Sequence, residues 1–137
     1  MVVGQANSQP IVIGLYDNDV GQTVENFKAI CRGNKKDKDG NTLTYKNTVF
    51  STIYPDMVAI GGNNSPDSGL DGTSTYDKPF PNENMDVPKT GENLVAMAPS
   101  KEGQNGSTFG LFKNYVQING YDVQVFGEIV SGQDVFK

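Results

Sequence analysis

Short apolar bursts punctuated by Gly, Pro, Asn and Asp run through this chain. Gln9 to Tyr16 predicts a strand, and Asp17-Asn18-Asp19 a turn. Val24, Phe27, Ala29, Ile30 and Cys31 fall on a helical stripe, with Thr23 placed to cap it and Gly33 to stop it. Asn34 to Asn41 is polar and predicts a solvated loop. Leu43 to Ile53 and Met57 to Ile60 predict strands, separated by a turn at Pro55-Asp56 and followed by the paired glycines Gly61-Gly62. Asn63 to Asp77 predicts a long loop, and Phe80 to Pro88 an irregular stretch. Leu94 to Ala98, Thr108 to Phe112 and Val123 to Val130 predict three more strands, with Ser100 to Ser107 as a loop and Asn119-Gly120 as a turn. Ser131 is placed to cap a second helix. Many short strands with one clear helix predict a mainly β fold, a closed barrel with a helical lid.

The totals narrow the function classes. At 137 residues, the chain is expected to form a single domain over 1–137 with its own core. The 16 Gly and 7 Pro fit a turn-rich β chain. A net charge of −5 argues against non-specific nucleic-acid binding, which needs clustered Lys and Arg. The single cysteine, Cys31, excludes an internal disulfide and a multi-cysteine zinc site. The absence of His excludes Ser-His-Asp and Cys-His catalysis and His-ligated metals. No apolar run approaches the roughly 18 residues of a membrane span, and no secretory or transit segment is visible. No cofactor or metal is expected: Asp37-Lys38-Asp39-Gly40, and Asp67, Asp71 and Asp77, hint at calcium but lack the full loop spacing. Cys31, on the apolar stripe, is expected in the core rather than as a redox thiol. Asn63-Asn64-Ser65 and Asn105-Gly106-Ser107 fit the glycosylation pattern, the second reading better as a turn.

The same stretches resemble a known family. Thr23 to Cys31 resembles the cyclophilin motif T-x-E-N-F-x-x-L-C, and Tyr45 to Phe50 its Y-K-x-x-x-F. Gly61-Gly62-Asn63 resembles Q-G-G-D, with Ile60 in place of the Gln. Gly72 to Tyr76, Phe80 to Asn84, Val95 to Ala98, Asn105 to Phe109 and Val125 to Val130 resemble further family segments in the same order, over Ile11 to Val135. The resemblance implies an eight-stranded antiparallel barrel closed by two helices, with termini that look trimmed. It also implies peptidyl-prolyl cis/trans isomerisation, in which an Arg favours the twisted amide, a Gln holds the backbone, and apolar residues with a His receive the proline ring.

Position by position, that equipment is missing. Thr52 stands for the Arg, offering one neutral hydroxyl against five charged donors in a planar fork. Met57 and Val58 stand for the pocket Phe and Met, Ile60 for the Gln and Gly110 for the second Phe. Ala98 is retained, but Pro99 replaces the Asn beside it and has no N–H to offer. Ile118 stands for the pocket Leu, the Trp position falls near Gln117, and the His position at Asp122 or Val123. Removing one preorganised donor costs about 10²- to 10³-fold in rate. The expected function is therefore a catalytically inactive, cyclophilin-like binding or structural module on a larger protein assembly. The alternative is a weak prolyl isomerase, or a proline-peptide binder, with a site rebuilt from Thr52, Met57, Ile60, Ala98, Pro99 and Ile118. Tyr54 either anchors a partner or faces the core. By family analogy alone, an organelle lumen such as the thylakoid suits a small acidic relative.

Overall fold

The computed structural model describes residues 2–3, 9–10, 12–33, 35–36, 40, 42–45, 50, 52–54, 57–64, 74–76, 79–85, 92–99, 103–117, 120 and 122–131. Six strands form one antiparallel sheet: β3 (Val12–Leu15), β6 (Thr52–Tyr54), β7 (Val58–Gly61), β8 (Glu92–Met97), β9 (Phe109–Asn114) and β10 (Val125–Ser131), in the order β3-β10-β8-β9-β7-β6. Two small two-stranded ladders join β1 (Val2–Val3) to β2 (Gln9–Pro10) and β4 (Lys35–Lys36) to β5 (Thr42–Leu43). The one helix among the described residues is α1 (Gly21–Arg32). The expected β architecture is present. Among the described residues no ladder joins β3 to β6. The stretch after Ser131, where a second helix was expected, lies outside them, as do Asp67, Asp71 and Asp77. No helix of the described residues is long and apolar enough to cross a membrane.

Alternation sets the two faces of the sheet. Phe109 and Leu111 on β9 face the core with Met97 and Val95 of β8, their register partners, and all four are essentially fully buried. The buried stripe of α1, with Val24, Phe27 and Ile30, joins the same core. Phe27 packs edge-on to Phe109 at 5.2 Å and lies 5.0 Å from Phe126 and 5.3 Å from Tyr45. Burying each such side chain stabilises by about 1.5–3 kcal/mol. The corner after β7 needs Gly62: φ is +82°, and a Cβ there would lie 2.5 Å from Phe109 Cε1 and 2.9 Å from Tyr45 Cε1.

Four details differ from the sequence reading. Leu43 to Ile53, expected as one strand, is strand among the described residues only at Leu43 and from Thr52, with Thr44, Tyr45 and Phe50 outside any strand. The helix begins at Gly21, and Thr23 is not its cap. The N-cap residue, Val20, offers no side-chain oxygen, so Glu83 does the work from a distant loop. Its carboxylate accepts from Gln22 N (3.0 Å), Thr23 N (2.9 Å) and Thr23 Oγ1 (3.0 Å), satisfying orphan donors and the positive end of the helix dipole. Cys31 is exposed, because it sits in the last turn at the margin of the buried arc. Partial burial still pushes its thiol above the usual range. Lys35 and Lys36, read as loop, pair in register with Leu43 and Thr42.

The loop that supplies Glu83 is itself held by Gln124, which is fully buried. The Gln124 carbonyl accepts from Glu83 N and Asn84 N, and its amide donates to Asn84 O and Val125 O. Glu83→Ala is therefore expected to cost about 1 kcal/mol, the usual value of a lost N-cap. Gln124→Leu, which strands buried backbone groups, is expected to cost more, about 1–3 kcal/mol. Urea unfolding midpoints at neutral pH measure both, and a Glu83→Ala cost near zero contradicts the capping role.

Candidate functional site

Strand register brings the sequence-predicted positions into two adjacent rows on the face opposite Phe109 and Leu111. One row runs Thr52–Ile60–Gly110–Ala96–Val125 across β6, β7, β9, β8 and β10. The next runs Tyr54–Val58–Phe112–Leu94. Thr52 and Ile60 are half-buried, Val58 is buried, and Met57 is exposed at the turn, where its N–H donates to Tyr54 O. Neither row contains Lys, Arg, His or Gln. The hydroxyl of Thr52 is the hydrogen-bonding group that side chains bring to its row.

Ala98 and Pro99 follow β8 and are buried. The Ala98 N–H donates to Thr108 O (3.1 Å), so it is already used within the protein. Pro99 has none to give. Ile118 lies outside the described residues. Tyr54 is 53% exposed, which settles its orientation toward solvent rather than core.

Gly110, expected to stand where the resemblance places the second pocket Phe, is where the geometry adds most. A Cβ built on Gly110 would lie 2.7 Å from Phe112 Cε1, 3.3 Å from Phe112 Cζ and 3.2 Å from Val58 Cγ2. Gly110 and Phe112 are two residues apart on β9, so their side-chain directions share a face. The Phe112 ring leans over the bare strand position and is 0% exposed. Tyr115 stacks on it, with centroids 6.0 Å apart and planes at 17°. The Tyr115 hydroxyl donates to Asp122 Oδ1 (2.9 Å) and accepts from Val123 N (3.0 Å). Gln117 Nε2 also donates to Asp122 Oδ1, at 3.2 Å. Sequence reasoning named Gly110, Gln117, Asp122 and Val123 but missed Phe112 and Tyr115. The i, i+2 spacing of Gly110 and Phe112 was a readable signal. The reach of Tyr115 back across the sheet face was not.

Among the described residues there is no group of His, Cys, Asp or Glu able to hold a metal ion. Burial pushes the Tyr115 phenol up to about 12; the carboxylate of Asp122 adds to this, while the Val123 N–H opposes it.

Comparison with known proteins agrees with the architecture. The family described as "Cyclophilin type peptidyl-prolyl cis-trans isomerase/CLD" matches residues 1–137. The E3 SUMO-protein ligase RanBP2 of Pan troglodytes and that of Homo sapiens are each 34% identical over 127 residues, 93% of this chain. The chain spans 4% of the length of those relatives. A crystal structure of a Cryptosporidium parvum cyclophilin type peptidyl-prolyl cis-trans isomerase, obtained in the presence of the dipeptide Ala-Pro, superposes with a TM-score of 0.71. It is 22% identical and the match covers 92% of this chain and 75% of that one, a likeness of fold.

The Tyr115 environment has a pH signature. The folded phenol titrates near 12, above the unfolded value of about 10. The folded state thus keeps a proton that the unfolded chain gives up. That stabilisation is complete below about pH 10 and is lost as pH rises through about 12. Tyr115→Phe is expected to flatten the fall in urea midpoint between those values relative to the parent. Tyr16, Tyr45 and Tyr76, also raised mainly by burial, leave a residual slope in both proteins. Parallel curves for the two proteins contradict the phenol contacts described.

Proposed function

The chain belongs to the cyclophilin-type peptidyl-prolyl cis-trans isomerase family, and from that premise we propose that it keeps the family's fold without its chemistry. It acts as a non-catalytic binding or structural module of a larger protein assembly. In this reading the described sheet is part of a closed barrel capped by two helices.

The observation that carries the reading is the row Thr52–Ile60–Gly110. Rotation about an X-Pro bond faces a barrier close to the 18–20 kcal/mol of amide resonance. An isomerase lowers it by holding the twisted amide with fixed donors. Thr52 and Ile60 are direct cross-strand partners at the positions of the family's Arg and Gln. One is a short neutral hydroxyl and the other is aliphatic. With the ring position at Gly110 covered by Phe112, neither transition-state stabilisation nor ring binding has a foothold. Losses of this kind within one site are not additive, yet even one costs about 10²- to 10³-fold.

Two observations support a module role. Loop anchors and an aromatic core are present among the described residues around a face without Arg, Gln or His. The curated relatives carry their matching stretch as 4% of a much longer chain, so a domain of this kind serves as one part of something larger. Thr52, Tyr54, Met57 and Ile60 form the face proposed to meet a protein partner, with Tyr54 and Met57 its exposed apolar groups. The second reading, a proline-peptide binder, takes its motive from the related structure obtained with Ala-Pro.

The deciding assay follows isomerisation of an X-Pro peptide with and without the chain, alongside Ala-Pro titration monitored by amide chemical shifts. The expected result is an uncatalysed rate and no saturable shift around Thr52 and Ile60. Acceleration that falls on Thr52→Ala overturns the reading in favour of a rebuilt isomerase. Saturable Ala-Pro binding without acceleration favours the peptide binder instead.

A further inference from the structure

Phe112 occupies space that the strand itself leaves open. A side chain at 110 and the ring at 112 compete for one volume, as the 2.7 Å approach of a Gly110 Cβ to Phe112 Cε1 shows. Real carbon contacts do not come that close without something moving. Val58 bounds this volume at 3.2 Å from the same built Cβ, and Tyr115 stacks over the ring. The lid is tied at its far end by Val123 N and Asp122 Oδ1. Val58 and Val123 are nearly fully buried and belong to the same apolar cluster.

We propose that Phe112 is an internal occupant of a ring-sized apolar compartment, floored by Gly110 and Val58 and lidded by Tyr115, and that the emptied compartment binds a small apolar ring. This rests on the non-catalytic reading above and deepens it. The site is closed by a ring from its own strand as well as stripped of donors. Putting Arg and Gln back at Thr52 and Ile60 therefore restores no binding of an X-Pro peptide while Phe112 stays in place. Phe112 is thus the specificity-determining residue of this face.

The chemistry of the emptied space follows from its walls. They are aliphatic and aromatic, and a dry engineered cavity of about 150 Å³ with such walls admits benzene rather than water. An apolar ring gains contacts there that water does not replace.

Two measurements test the proposal together. In the first, Phe112→Ala is melted with and without benzene. Its unfolding temperature is expected to rise by roughly 4–8 °C at about ten times the dissociation constant, with no change in the parent. In the second, Gly110→Ala is made in both backgrounds. It is expected to lower the melting temperature of the parent, where the new methyl meets the ring, and not that of Phe112→Ala. If Phe112→Ala does not fold, the Gly110→Ala comparison is made on Phe112→Val, where the ring that meets the new methyl is gone. A folded truncation that ignores benzene, or a Gly110→Ala cost that is the same in both backgrounds, overturns the proposal. Isomerase activity in the parent instead defeats the non-catalytic reading, so the two failures are told apart.

Discussion

The packing of one aromatic ring against a strand position that has no side chain decides what this sheet face can do. Phe112 lies over Gly110, and a side chain at 110 has no room unless the ring moves. The contact between the ring and the bare strand position is steric rather than electrostatic. Everything nearby is arranged around the result. Val58 closes one side, Tyr115 closes the top, and the Tyr115 hydroxyl bonds to Asp122 and Val123. In the proposed reading, the surface that an isomerase keeps open to its substrate is covered here by Phe112, which is 0% exposed.

The rest of the fold does not depend on the groups that are missing. Its long loops are held by buried polar side chains that serve structure alone. Asn26 on α1 donates to Gly106 O (3.0 Å) and accepts from Thr75 N (2.8 Å) and Thr75 Oγ1 (3.2 Å), tying two loops to one helix face. Gln124 places Glu83, and Glu83 caps the helix. Ser107 donates to Gly62 O and accepts from Asn64 N at the corner after β7. Each buried amide left without its partner costs about 1–3 kcal/mol. This network runs through side chains other than those of the Thr52–Ile60 row.

Much of this was legible in the sequence, for identifiable reasons. The apolar bursts located β7, β8, β9 and β10, because a strand buried on most of its length reads as a short apolar run; β6, largely exposed, was merged into a longer run. The helix was legible from Val24, Phe27 and Ile30, but its cap was not. Glu83 lies 60 residues from Thr23, and no local pattern announces so distant a partner. Cys31 fits the apolar stripe, yet exposure depends on where the covering sheet ends. At the candidate site, residue types carried the expectation about Thr52, Ile60 and Pro99. What fills the vacated volume depended on the lean of the Phe112 ring and the path of Tyr115, which are tertiary facts. The segments resembling the family proved to hold the anchors, with Asn26, Glu83 and Ser107 all inside them, which explains why the fold was easier to read than the function.

On this reading Phe112 fills the space above Gly110 in the folded protein. Nuclear Overhauser spectroscopy on the isotopically labelled chain tests it most directly. The account predicts strong cross-peaks from the Phe112 ring protons to Gly110 Hα, the Val58 methyls and the Tyr115 ring, with no broadening of the Phe112 ring by a soluble paramagnetic probe. Absent cross-peaks to Gly110, together with probe broadening of the Phe112 ring, would mean that the compartment stands open and that the account of a closed site is wrong.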